Sequence, residues 1–279
     1  MREINSQTIT ETVKKLCIEA NCHLSEDIKD SIKKAYDGES WSQAKEILGH
    51  IIDNYEIADS ENQPVCQDTG VACVFLTIGQ DVHVKGSIEE AVNEGVRQGY
   101  EEGYLRKSVV RDPLDRVNTG DNTPAMIYYE LAEGDKIEIT VAPKGFGSEN
   151  MSKVAMLRPS DGLEGVKNFV IKTVEEAGPN PCPPIVVGVG IGGTFDKAAY
   201  LAKKALLRPL DVPNEEEFYR NLEKELLEEI NKLGIGPQGF GGKTTALGVN
   251  IEKFPTHIAG LPVAVNINCH VTRHSTEVI

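Results

Sequence analysis

Apolar residues recurring every three to four positions open the chain and predict helices across residues 6–58. Val13, Leu16, Cys17 and Ala20 share one helical face. Ser25 is placed to cap a second helix carrying Ile28 and Ile32, stopped near Gly38. Trp41, Ala44, Ile47, Leu48, Ile51, Ile52 and Tyr55 form a third stripe. The period then changes. Residues 71–78 are a continuous apolar run of strand length, directly after a polar loop. Ser87-Ile88-Glu89-Glu90 reads as a capping box that opens a helix to about Tyr104. Residues 105–125 have no period and are rich in polar groups, and loops of that length in a compact domain tend to carry function. Two strands, 126–131 and 136–141, joined by Ala132-Glu133-Gly134-Asp135, predict a β-hairpin.

Further along, Ser160 and Asp161 open a helix bearing Val166, Phe169, Val170 and Val174, ended by Gly178. A buried-type strand at 185–189 leads through a glycine-rich turn to helices at 195–207 and 214–233. Asn214 and Glu217 suit a capping box for the second of these, and Gly234 its stop. Strands at 245–251 and 262–268 precede a tail with Cys269, His270, Arg273 and His274. The predicted architecture is α/β, with a helical N-terminal segment (about residues 1–60) followed by mixed β-sheets packed with helices, and not a Rossmann fold. No repeat, low-complexity stretch or linker divides residues 1–279, so one domain is expected.

Composition narrows the function. A formal net charge of −14 argues against a nucleic-acid surface, which needs clustered Lys and Arg. No run approaches the ~18 apolar residues of a membrane span, and Met1-Arg2-Glu3-Ile4-Asn5 lacks the apolar core of a signal peptide. A cytoplasmic protein is expected, with no membrane partner. In that compartment six cysteines are not read as a disulfide framework, so metal binding or catalysis competes for them.

Two glycine motifs invite nucleotide readings. Gly188-Val189-Gly190-Ile191-Gly192-Gly193 lies between a strand and a helix, but the acidic residue that a dinucleotide fingerprint places at the end of a second strand is missing. Gly241-Gly242-Lys243-Thr244 resembles a P-loop, but proline stands at 237 where that motif needs glycine. Paired zinc spacings are also absent.

The surviving chemistry starts at Asn62-Gln63-Pro64-Val65-Cys66-Gln67-Asp68-Thr69-Gly70, a thiol, amide, carboxylate and hydroxyl in succession between turn-forming residues. A turn entering a strand is the plain alternative. Cys66, Cys182 and Cys269 each sit at a strand boundary, whereas Cys17, Cys22 and Cys73 read as structural. Three thiolates can hold three irons of a 4Fe–4S cubane and leave the fourth open as a Lewis acid for carboxylate and hydroxyl oxygens.

Seven ordered blocks then carry a resemblance. They are Cys66-Gln67-Asp68-Thr69-Gly70, Leu105-Arg106-Lys107-Ser108, Asn118-Thr119-Gly120-Asp121-Asn122-Thr123-Pro124, Lys144-Gly145-Phe146-Gly147-Ser148-Glu149-Asn150, Cys182-Pro183-Pro184, Gly236-Pro237-Gln238-Gly239-Phe240-Gly241-Gly242, and His257 ahead of Cys269. Together they resemble the α subunit, or N-terminal catalytic half, of class I iron–sulfur fumarate hydratases and the related L-tartrate dehydratases. The resemblance implies that Cys66, Cys182 and Cys269 ligate a 4Fe–4S cluster with one open iron. It further implies that Gln67, Arg106 and a backbone N–H near Gly147 contact a small dicarboxylate. Asp68 stands where the family has its catalytic acid/base, and His257 matches a histidine that completes the site from the same or a neighbouring subunit.

Plainer roles stand beside these. Arg106 suits a helix-end cation, His257 a surface histidine, Gln67 a loop tie, and residues 144–150 a glycine turn. Single-chain relatives carry a second domain, for which ten residues after Cys269 leave no room. The resemblance therefore implies a separate β subunit in a hetero-oligomer such as α2β2. The expected activity is hydro-lyase, first as hydration of fumarate to L-malate. The alternatives are dehydration of tartrate to oxaloacetate and, more distantly, a non-catalytic metal-binding interaction protein.

Overall fold

The computed structural model describes residues 1–279. In chain order the elements are β1 (Arg2–Asn5), α1 (Ser6–Cys22), α2 (Glu26–Gly38), α3 (Ser42–Glu61), β2 (Val71–Gly79), β3 (Val82–Lys85), α4 (Ile88–Glu102), β4 (Met126–Ala132) and β5 (Ile137–Lys144). Then follow α5 (Phe146–Glu149), β6 (Lys153–Leu157), α6 (Gly162–Ala177), β7 (Ile185–Gly192), α7 (Phe195–Ala205), α8 (Glu217–Lys232), β8 (Ala246–Phe254), β9 (Leu261–Asn268) and β10 (Ser275–Val278). The chain divides into two compact units. The first comprises Met1–Leu24, Tyr55–Gly145 and Arg273–Ile279; the second comprises Ser25–Asn54 and Phe146–Thr272.

The first unit is built on a four-stranded sheet of order β10-β5-β2-β4, with a small parallel pair β1-β3. Alternate residues of β2 (Ala72, Val74, Leu76) and β5 (Ile137, Ile139, Val141) face one core cluster. Ile9, Val13, Leu16 and Cys17 of α1 join it, with Val92, Val96 and Tyr100 of α4. Period 2 on the strands and period 3.6 on the helices thus meet in a single apolar layer. Burying each such Leu or Ile contributes about 2 kcal/mol, so this face outweighs any single polar contact around it. Asn5 starts α1, its side chain accepting from Gln7 N at 2.9 Å. Ser87 starts α4 in the same way, accepting from Glu90 N at 3.2 Å, while Ser25 precedes α2 without a side-chain cap.

The predicted hairpin is not formed. β4 pairs in parallel with β2, and β5 pairs antiparallel with β2 on its other side. Residues 132–136 do turn, but their carbonyls accept from Gly79, Gln80 and Asp81 at the end of β2. A strand distant in sequence therefore takes the place that local pairing would have filled. Four short strands, β1, β3, β6 and β10, were not apparent in the apolar pattern, because at most one of the four or five residues in each is buried.

In the second unit a sheet of order β6-β9-β7-β8 has helices on both faces. Val166, Val170 and Val174 of α6 and Leu222, Leu226 and Ile230 of α8 pack with inward residues of β7, β8 and β9. Ala198 and Ala202 of α7 meet Ala264 on the other face. Antiparallel β9 in the middle rules out a doubly wound nucleotide fold. The glycines of β7 have a different use. A Cβ on Gly188 would lie 2.2 Å from Ala202 O, and one on Gly190 would lie 2.1 Å from Ala198 O. They let α7 approach the strand. The Asn214 capping box is also corrected: α8 begins at Glu217, and Asn214 instead donates to Ile251 O at 3.0 Å and to Glu223 Oε1 at 3.2 Å.

Candidate active site

In the first unit the loop 66–70 leads into β2 and is fastened from several directions. Asp68 N donates to Cys66 Sγ at 3.4 Å, and Gly70 N donates to Asp68 Oδ1 at 3.0 Å, which curls the loop around its own side chains. The Cys66 thiol lies 3.4 Å from Gln67 Oε1. Gly70 has φ +70°, and a Cβ there would lie 2.5 Å from Lys144 O, so the loop closes against the end of β5 only with glycine. Gly145 follows, 3.2 Å from Asp68 Oδ2 at the position a Cβ would take.

Buried side chains from remote positions hold the loop's backbone. Tyr100, with no exposed surface, donates its hydroxyl to Thr69 O at 2.8 Å and lies 3.2 Å from Gly70 O. Burial pushes its phenol well above the ordinary range, so it stays a donor. Asn122, also fully buried and with φ 62°, donates to Gly70 O at 3.2 Å and accepts from Ser108 N at 2.7 Å. Arg273 is 4% exposed and donates from Nη2 to Asp68 O at 2.6 Å. Thr69 Oγ1 donates to Arg106 O at 3.0 Å, so the backbone of Arg106 is tied to this loop while its side chain is exposed. Gln67 is exposed and Asp68 half-buried.

The second unit gathers a different set. Cys182 is exposed at φ 54° in the turn before β7, and Cys269 is half-buried just after β9. Antiparallel pairing of β7 with β9 sets those two strand ends side by side. His270 N donates to Cys182 O at 3.3 Å, and His270 Nδ1 lies 2.9 Å from the same oxygen. Gln238 donates twice to Pro183 O, from its backbone N at 2.7 Å and from Nε2 at 2.9 Å. Gly147, at the head of the short α5, lies where an added Cβ would be 3.6 Å from Asn180 O. Glu149, which closes α5, accepts from Lys203 Nζ at 2.6 Å and from Asn266 Nδ2 at 2.8 Å.

Each predicted residue thus has a place. Cys66, Gln67, Asp68 and Arg106 share the first unit; Cys182, Cys269 and Gly147 cluster in the second. His257 stands apart from that cluster. It lies in the exposed turn between β8 and β9, accepting from Ala259 N at 3.2 Å, at the opposite end of β9 from Cys269. Eight extended residues span about 26 Å, so His257 cannot reach the cysteine pair of its own chain. Tyr100, Arg273, Gln238 and His270 gained no site role from sequence. Of these, Gln238 lies inside a glycine-containing motif, and it takes left-handed backbone there, as Asn122 does in another.

The P-loop-like segment also has a defined occupant. Lys243 N donates to Glu39 Oε2 at 2.7 Å, and Ser40 N and Trp41 N donate to Oε1 at 2.8 and 3.0 Å. Burial raises the Glu39 pKa, but these N–H bonds outweigh it and hold the carboxyl below its usual range. The anion cradled by this glycine turn is the protein's own.

The thiol chemistry fits an iron–sulfur cluster. All six cysteines are reduced, and Cys17, Cys22 and Cys73 are buried in packed positions. Burial pushes the Cys17 thiol up to about 12, unsuited to a thiolate ligand. Cys66, Cys182 and Cys269 are the cysteines with accessible surface. No three His, Cys, Asp or Glu side chains gather as they would around a single metal ion. No helix is long and apolar enough to cross a membrane.

Comparison with known proteins identifies the family. The chain is 48% identical over 276 residues to a Methanocaldococcus jannaschii protein named "Putative L(+)-tartrate dehydratase subunit alpha", covering 96% of each. It is 34% identical to the L(+)-tartrate dehydratase subunit alpha of Escherichia coli O157:H7, covering 100% of this chain and 94% of that one. The corresponding subunit of E. coli strain K12 is 33% identical over 287 residues. The family model described as fumarate hydratase (Fumerase) matches residues 10–278, taking in both units and every cysteine, and the chain belongs to that hydro-lyase family.

Proposed function

We propose that this chain is the α subunit of an L(+)-tartrate dehydratase, converting tartrate to oxaloacetate and water together with a separate β subunit. End-to-end correspondence with chains named in this way carries the reading. It favours tartrate over the fumarate hydration expected first from sequence. Fumarate is the second reading, favoured by the description of the family model. In this proposal residues 1–279 act as one α-subunit domain, in a hetero-oligomer such as α2β2.

Cys66, Cys182 and Cys269 would hold the 4Fe–4S cluster. When bound, it would supply an open iron that polarises a substrate hydroxyl and carboxylate. The remaining work falls to side chains of this chain. The Arg106 guanidinium and Gln67 amide orient one carboxylate, and a backbone N–H at Gly147 adds a further donor. Asp68, with Oδ1 fixed by the Gly70 N–H, uses Oδ2 to take the proton from the carbon beside that carboxylate. The neighbouring carbon releases its hydroxyl, which leaves as water once protonated. The resulting enol becomes oxaloacetate when its carbon regains a proton. Positive groups around the carboxylate stabilise the charge that develops there. His257 would serve a neighbouring copy, since its own cysteine pair is a strand length away.

The test is anaerobic reconstitution followed by turnover of tartrate and fumarate with the co-purified β subunit. A brown protein absorbing at about 400 nm is expected, with tartrate the faster substrate. A colourless wild-type protein would overturn the cluster assignment. Faster turnover of fumarate would overturn the choice of substrate.

A further inference from the structure

We infer that Gln238 is a positioning residue that ties the Cys182 and Cys269 loops together before any cofactor arrives. The inference rests on the cluster-binding reading above. Gln238 has φ 53° and ψ 19° in a turn where Gly236 and Gly239 also have positive φ. Glycine would take that backbone without strain, so a long amide there points to work done by the side chain.

The contacts identify that work. Nε2 donates one N–H to Pro183 O at 2.9 Å and, in the tautomer with the His270 ring proton on its Nε2, donates the other to His270 Nδ1 at 3.1 Å. The Gln238 backbone N–H adds a second bond to Pro183 O at 2.7 Å. One side chain therefore bridges the residue after Cys182 and the residue after Cys269. On the other flank of the cysteine turn, Cys182 N donates to Pro179 O at 3.0 Å. Gly239 presses on Pro179 so closely that a Cβ there would lie 2.2 Å from Pro179 Cβ. The turn carrying Gln238 thus grips the Cys182 loop from both sides. Without the amide, the two loops keep the direct His270 N–H bond to Cys182 O but lose the side-chain bridge from His270 to Pro183. Outer groups that orient metal ligands act in this way.

The experiment compares wild type with Q238M, Q238E and Q238N after anaerobic reconstitution with ferrous iron and sulfide. Met and Glu keep the side-chain length without an amide donor. Asn suits the left-handed backbone but is one methylene too short. Each variant should lose its cluster absorption to a ferrous chelator about tenfold faster than wild type, with far-UV CD and Tm unchanged. Equal retention in all four proteins would overturn the inference, as would losses that merely follow a lowered Tm. If wild type takes up no cluster, the cluster reading fails on its own, and the bridge is read instead by hydrogen exchange of the iron-free chain. There the His270 N–H should exchange faster in Q238M with no change within β9, and unchanged His270 exchange would sink the bridge.

Discussion

Tyr100, Asn122 and Arg273, each 4% exposed or less, reach the backbone carbonyls of residues 68–70 in the first unit. In the second unit the Cys182 turn is held by Gln238 and His270, both only half-buried. Water can replace a donor at the second place and cannot reach the first, so equal numbers of hydrogen bonds carry unequal energies. The first loop should therefore be coupled to global stability. The second should be nearly independent of it and matter for positioning.

Substitutions can break this contrast. The largest effect is expected for Arg273→Met, which removes a buried charged donor from the half-buried Asp68 carbonyl. Urea unfolding should show a loss of roughly 3 kcal/mol, with lysine restoring part of it. A loss within about 0.5 kcal/mol, the usual range for surface changes, would place this loop in the same class as the second unit's. Asn122→Ala removes two hydrogen bonds, one that joins the 105–125 loop to Gly70 and one to Ser108 within the loop. About 2–3 kcal/mol should be lost in the same assay.

Acid tests the periphery of that long loop. Burial pushes the Asp121 carboxyl up, but the Thr123 hydroxyl and N–H together with Arg97 overcome this and bring it to about 2. A carboxyl lower in the folded state stabilises above its unfolded pKa and loses that contribution as pH falls towards the folded value. Stability should thus decline by at most about 2 kcal/mol between roughly pH 4 and pH 2 through this group. Asp121→Asn should flatten that part of the profile. A profile identical to wild type would remove Asp121 from the anchor. The smallest effect is expected at Glu39, the second unit's own buried tie. Glu39→Gln should cost about 1–2 kcal/mol while leaving cluster retention unchanged, separating the fold of that unit from its cysteine loops. Cluster loss that tracks the lost stability would erase the distinction.

Much of the architecture was legible because its signals are local. The helical stripes of α1, α2 and α3, the run that becomes β2 and the cap at Ser87 depend on neighbours within one or two turns. The β4–β5 hairpin was misread because the turn between them is real while the pairing is not; β2 lies between the two strands. β1 and β10 stayed hidden because short, half-exposed edge strands need no apolar run. At the candidate site, Cys66, Cys182 and Cys269 were singled out by residue type and position at strand boundaries, and Asp68 took its proposed role from the family resemblance. Tyr100 and Arg273 were missed because they bind backbone carbonyls, and a carbonyl leaves no mark on the sequence of the residue that offers it.

Sequence alone determined which side chains can do chemistry, their order in seven blocks and the family they belong to, since residue type and spacing carry that information. Tertiary structure decided which of them share a unit, that His257 lies a strand length from Cys269, and that glycines at 188 and 190 serve packing. It also showed that the glycine turn at 241–243 cradles Glu39. The physical reason is that these outcomes depend on distances between residues far apart in the chain, which only strand pairing and core packing establish.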